Sequence, residues 1–353
     1  MCIRWWEDLV SNIQQKRLWF QAGFFILFML APVFDLFRFD LNVKHFFFLG
    51  INWTLGLDDL LTQKIGAGEA ALNIILRGGL PILGVIGTGV WISWKYGRLY
   101  CGWLCPHFSV VETINRVMRR AIGKQSLWDK HRLPERNADG SITKANPLYW
   151  LVLVPLVTVF SFSWAVALLT YLLPPAEIYG NLWHGELTGN QARFIGVGTF
   201  LFFIEFMFAR HLFCRFGCAV GLFQSLAWMG NRKAMVIGFD RKRAESCIDC
   251  NAACDNVCPM RIKPRSIKRH MFTCTQCGQC ANACSQVQAA NPAGTLLKWV
   301  DKECALDKSA RDFGHHENIP EHCFETGKQQ KQTLTTNEHE CSRMRTNILG
   351  SDS

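Results

Sequence analysis

Charged side chains are scarce in this chain, at 19% of 353 residues, and the acidic ones (28) are fewer than the basic ones (38). The shortage of charge departs from the soluble average towards a membrane protein, and the hydrophobic share of 49% lies at the upper end of the ordinary range. There is no helix-turn-helix pattern and no basic, aromatic-laced strand, so the net charge of +10 does not read as a nucleic-acid surface. The first apolar run lacks a small-residue cleavage site and is too long for a signal-peptide core, which leaves it as a retained anchor.

What remains is unevenly apolar. Residues 18–37, 71–94, 147–172 and 194–213 form runs of about the length that spans a bilayer. Lysine and arginine set their orientation: the stretch 95–146 carries ten, 38–70 three and 173–193 one. These counts predict four spans with both termini on the cytoplasmic side. Residues 38–66 and 174–193 become the outer loops. The aromatic group Phe46, Phe47, Phe48 and Trp53 suits a segment lying at the interface.

Half of the sixteen cysteines fall between residues 247 and 284. Cys274, Cys277, Cys280 and Cys284 read C-x2-C-x2-C-x3-C, the ligand spacing of a two-cluster ferredoxin. Cys247, Cys250, Cys254 and Cys258, followed by Pro259, repeat it with one extra residue between the second and third thiols. A tight loop supplies three corners of a cubane, and in two-cluster ferredoxins the fourth comes from the other run. One [4Fe–4S] cluster is therefore expected on Cys247, Cys250, Cys254 and Cys284, and a second on Cys274, Cys277, Cys280 and Cys258. Zinc is the competing occupant, although zinc ribbons usually present two two-cysteine knuckles. Disulfides fit poorly with a cytoplasmic face. The extra residue, and Ser285 where a proline would follow the second run, leave the first cluster's type open.

Two further pairs, Cys101 with Cys105 and Cys214 with Cys218, each follow an apolar run and precede an amphipathic stretch. In the first stretch Val111, Ile114, Met118 and Ile122 share one helical face; the second offers Leu222, Phe223, Leu226 and Trp228. The parallel suggests an internal duplication, two spans per half, about an axis along the membrane normal. An i, i+4 spacing on a helix stacks both thiols on one face. The four thiols are thus a candidate third redox or metal site, holding a metal, a cluster or a thiol–disulfide couple; the alternative is buried structural cysteine. Charges inside spans are costly and often functional. Glu205 is a candidate proton acceptor for quinol oxidation, and Arg77 a candidate for holding a quinone oxygen. His107, His184 and Glu186 are weaker candidates.

These features give an α-helical membrane domain over 1–235, a small α+β two-cluster ferredoxin-like domain over 236–300, and a polar, disordered tail over 301–353. The tail carries Cys304, Cys323 beside His322, Cys341 near His339, and the pair His315 and His316. They read as incidental soft ligands or as a loose metal site.

Cys-Gly-Trp-Leu-Cys-Pro at 101–106 resembles the C-x3-C-P motif of the bacterial membrane polyferredoxins of the NapH, NosR and FixG/RdxA/CcoG types. Phe223-Gln224-Ser225, the stretch from Met235 to Arg243 and Cys247-Ile248-Asp249-Cys250 are most similar to the FixG/CcoG type. The resemblance covers roughly residues 15–300. It implies a membrane core with two [4Fe–4S] clusters on the cytoplasmic side, ligated by the eight cysteines above. Ala219 replaces the proline of the second C-x3-C motif, and neither a further span after the clusters nor a flavin domain is seen. The expected function is electron transfer between the quinone pool, or another membrane redox donor, and a cytoplasmic or membrane redox partner. The basic surface would favour an acidic soluble partner. Alternatives are a cupric reductase in oxidase assembly, with copper at the C-x3-C pairs, and a redox-sensing regulator.

Overall fold

The computed structural model describes residues 13–43, 45–247, 250–309 and 323. The chain forms two compact units. The larger comprises Gln15–Asn231 with Thr273–Cys277; the smaller takes Arg232–Phe272 and the described residues from Gly278 onward.

Among the described residues three helices, all in the larger unit, are long and apolar enough to cross a membrane: Ala67–Tyr96, Pro147–Thr170 and Gly189–Ala209. Four were expected. The run expected at 18–37 is helical only over Ile13–Leu30, here α1. Pro32 cannot continue the helix, the first turn is polar, and Phe37 already begins a strand. The outer stretch also differs from the expected surface loop. Phe37–Asp40 (β1), His45–Phe48 (β2) and Ile51–Trp53 (β3) form an antiparallel meander, with Phe37 opposite Phe48 and Phe46 opposite Trp53. Aromatic residues favour a pleated surface. Arg38 is buried beneath it, bonded to Asp35 and, at 2.6 Å, to Asp40, with its guanidinium 4.2 Å from the Phe47 ring centre.

The helix Pro106–Ile122 (α2) supplies the core. Val111, Ile114 and Met118, the face read from the 3.6-residue period, are completely buried. They pack with Leu153, Val157 and Trp164 of Pro147–Thr170 and with Phe206 and Met207 of Gly189–Ala209. The corresponding helix Ala219–Gly230 (α3) behaves otherwise. Phe223 and Leu226 are exposed, and the buried face is Gly221, Ser225 and Trp228.

The smaller unit is built on a two-stranded antiparallel sheet, Val236–Phe239 with Leu297–Val300. Arg243, from the stretch that resembles the FixG/CcoG type, closes it. Its guanidinium is held by Asp240 at 2.7 Å and donates to the carbonyls of Ala293 at 2.7 Å and Thr295 at 3.1 Å. Short helices Ala253–Asn256 and Gln279–Val287 carry Cys254, Cys280 and Cys284. The polar tail expected from 301 instead opens with a helix, Glu303–Ser309, because its Ala305 and Lys308 are buried. Lys308 donates to the carbonyls of Pro264 and Ser266.

Candidate functional site: two sets of thiols

In the smaller unit, Cys247, Cys250, Cys254 and Cys284 line one small cavity that is partly open to solvent. Its walls include Phe239, Ala253, Val287 and Leu297, so the thiols face a largely apolar space. Burial pushes the Cys254 thiol up to about 12, and the adjacent Asp255 carboxylate works in the same direction. Burial also raises Cys247, with Cys250 adding to it. Arg265, held to Asp255 at 2.9 Å, places a positive charge in the cavity wall and opposes both shifts. Cys258, Cys274, Cys277 and Cys280 are all buried. The first and last of them belong to the smaller unit, and Cys274 and Cys277 to the larger.

In the larger unit the C-x3-C pairs do not lie one turn apart on a helix, as the i, i+4 spacing suggested. Each spans a helix break. Cys101 is in the short helix Leu99–Trp103, and Cys105 is the N-cap of α2. Cys214 is in the π-helical turn Phe213–Gly217, and Cys218 is the N-cap of α3. Pro106 forces the first break because it cannot donate to a preceding turn, and it suits the first position of α2. The second cysteine of each pair thus meets a helix N-terminus, where backbone N–H groups favour anionic sulfur. Gly221 N donates to Cys218 Sγ at 3.5 Å. Burial nevertheless pushes Cys105 up to about 11, and Cys101 and Cys214 also upward. The pairs sense one another across the unit, Cys105 interacting with Cys101 and Cys218, and Cys214 with Cys105 and Cys101.

The shell around these thiols contains Gln224, which carried no role from sequence alone, together with two of the residues singled out there, His107 and Glu205. Gln224 Oε1 accepts from Cys101 Sγ at 3.3 Å. His107 Nδ1 lies 3.5 Å from Cys214 Sγ, and its Nε2 lies 2.9 Å from Glu205 Oε2. Glu205 opens a π-helical turn, Glu205–Ala209, at the end of a membrane-length helix, an irregularity frequent at functional sites. Its Oε1 is buried without a hydrogen-bond partner. Glu205 and the weaker candidate His107 therefore meet, whereas Arg77 does not join them: it is exposed, 3.5 Å from the Thr54 carbonyl. His184 is exposed and bonded to the Gly180 carbonyl, and Glu186 N donates to Asn181 O.

The piece Thr273–Cys277 rests on the first C-x3-C motif. Trp103 Nε1 donates to Gln276 O at 3.0 Å, and a side chain at Gly102 would run into the Thr275 carbonyl. Only glycine allows that approach. From the other side Arg17 Nε donates to Gly102 O at 2.8 Å, and Arg17 is ion-paired with Glu112 inside the unit. Among the tail cysteines, Cys304 and Cys323 form a disulfide. His315, His316, His322, His339 and Cys341 lie outside the described residues.

The family profile described as a 4Fe-4S binding domain matches the chain twice, over residues 78–125 and 190–235, one match around each C-x3-C pair. Among curated proteins the chain is 25% identical to YccM of Escherichia coli, whose name assigns it to electron transport, over 62% of this chain and 56% of YccM. It is 28% identical to protein RdxA of Cereibacter sphaeroides, over 62% of this chain and 47% of RdxA. It is 22% identical to the ferredoxin-type protein NapH of Escherichia coli, over 65% and 72% of the two chains. The matched region thus spans about half of YccM and RdxA. No solved structure matches. With three membrane-length helices among the described residues, a 4Fe-4S profile around each C-x3-C pair and these relatives, the chain resembles the NapH/RdxA-type membrane 4Fe-4S proteins.

Proposed function

We propose that the chain is a membrane-anchored electron carrier linking the quinone pool to a partner redox protein through two [4Fe–4S] clusters. The observation that carries this reading is the single cavity lined by Cys247, Cys250, Cys254 and Cys284, four soft donors in apolar walls. Those residues would hold one cluster, and Cys274, Cys277, Cys280 and Cys258 the other. Bound there, a four-iron cluster supplies one-electron exchange at a potential tuned by charge and burial. Phe239, Val287 and Leu297 keep water from the sulfur ligands, and Arg265 offsets part of their negative charge. Gly102 and Trp103 fix the backbone on which Cys274 and Cys277 are presented.

Oxidation of a quinol releases two protons along with two electrons. Glu205, at the end of a membrane-length helix and bonded to His107, is the residue we assign to accept a proton from the quinol hydroxyl. The chain would lie in a bacterial inner membrane, with α1 as a fourth span and the basic 95–146 segment facing the cytoplasm.

Anaerobic titration of the oxidised, full-length protein with a quinol analogue tests this. The expected result is bleaching of the cluster absorbance, slowed about 100-fold by Glu205→Gln, with dithionite-reducible iron unchanged in that variant. Clusters that dithionite reduces and quinol leaves oxidised would contradict the quinone assignment.

A further inference from the structure

Arg98 is 1% exposed, and its Nη2 donates to the Cys214 carbonyl at 2.7 Å. Its Nε and Nη1 are buried with no hydrogen-bond partner other than the Cys101 thiol that the guanidinium faces. The helix α3 is shaped around it: a Cβ at Gly221 would strike the guanidinium. Its charge acts on the thiols of both Cys101 and Cys214, which come from different halves of the sequence. A guanidinium stays charged in any folded protein. Burying one with N–H groups unpaired is costly unless an anion compensates it. Glu205, the carboxylate beside Cys214 through His107, is engaged by that histidine at 2.9 Å. Neutral thiols do not offset a full positive charge, whereas four thiolates around an oxidised iron–sulfur core carry about two net negative charges.

Among the described residues no three Cys, His, Asp or Glu side chains form a ready-made site for a single metal ion, and this holds equally for the eight cysteines of the two runs, so the kind of centre is read from the sequence profile. The four thiols come from two motifs, each matched by the 4Fe-4S profile.

We propose that Arg98 is the counter-charge of an anionic, thiolate-ligated iron–sulfur centre held by Cys101, Cys105, Cys214 and Cys218. This rests on the reading of the four thiols as a third redox centre. The arginine favours the more negative, reduced form, so it raises the midpoint potential of that centre more than that of any other.

The test is an EPR-monitored redox titration with iron analysis on the full chain, purified anaerobically in detergent. Wild type is compared with Arg98→Met, Arg98→Lys and the double variant Cys101→Ser/Cys214→Ser. The signal lost in the double variant identifies the third centre. Arg98→Met is expected to lower the midpoint of that signal by about 59 mV or more, a tenfold change in the ratio of reduced to oxidised centre. Arg98→Lys shifts it less, and the remaining signals persist in every variant with smaller shifts than that of the third centre. If Arg98→Met empties the centre while Arg98→Lys retains it, with the remaining signals intact, the counter-charge role also stands. An unchanged midpoint in Arg98→Met would overturn that role with the third centre still in place, as would equal loss in both arginine variants. No iron or signal lost in the double variant would overturn the third centre itself.

Discussion

Cys284→Ser is expected to abolish the same cluster as Cys254→Ser, although the two residues lie thirty positions apart and in different runs. Cys258→Ser, inside the first run, is expected to abolish the other. The reason is the exchange of the fourth ligand: Cys284 opens onto the cavity of Cys247, Cys250 and Cys254. Each variant should lose about four iron and one set of EPR features. A serine oxygen is a poor substitute for thiolate, and the remaining three sulfurs would face an apolar wall with one iron unheld. If Cys284→Ser instead removed the signal that Cys277→Ser removes, each run would be ligating its own cluster and the exchange would be wrong.

Arg17→Met is expected to destabilise the membrane unit by about 3–5 kcal/mol, the usual cost of stranding one member of a buried ion pair. Arg17 and Glu112 have side chains only 2% and 6% exposed. Gln21 Nε2 donates to Glu112 at 3.1 Å, and Arg17 also binds the Gly102 carbonyl, so the pair ties α1 to the first C-x3-C motif. Arg17→Met with Glu112→Leu should recover most of the loss, because the double variant leaves no unpaired charge. Burial alone would raise the Glu112 pKa; Arg17 and Arg116 overcome it and hold the carboxyl below its ordinary value. The stabilisation is therefore full above the unfolded-state value, about pH 4.3, and fades as pH falls through the lower folded-state pKa. Thermal melts in detergent at pH 7 and pH 4 measure both effects. A loss under 1 kcal/mol at pH 7 would show that the pair is not holding the helix.

Short-range spacing carried most of the candidate site. The cysteine runs, the C-x3-C pairs and the buried face of Val111, Ile114 and Met118 are all set within a few residues, so they can be read directly from the sequence. Contacts between distant residues could not be. Arg98 entered only as one basic residue among ten in a loop, since nothing local signals that Gly221, 123 positions later, makes room for it. Gln224 stood in a motif without a role until its carbonyl met Cys101. The meander at 37–53 was hidden because its aromatic residues fit an interfacial loop as well as a strand. The helix breaks inside the C-x3-C motifs follow from Pro106 in the first pair, but Ala219 gives no such sign in the second. The Cys304–Cys323 disulfide joins residues nineteen apart, a separation that carries no ligand pattern.

The most direct measurement is iron and acid-labile sulfide in the anaerobically purified full chain, with and without Cys250→Ser and Cys277→Ser together. Two four-iron clusters on the eight cysteines predict a difference of about eight iron and eight sulfide between the two proteins. Zinc in place of iron, or no difference between them, would contradict the account.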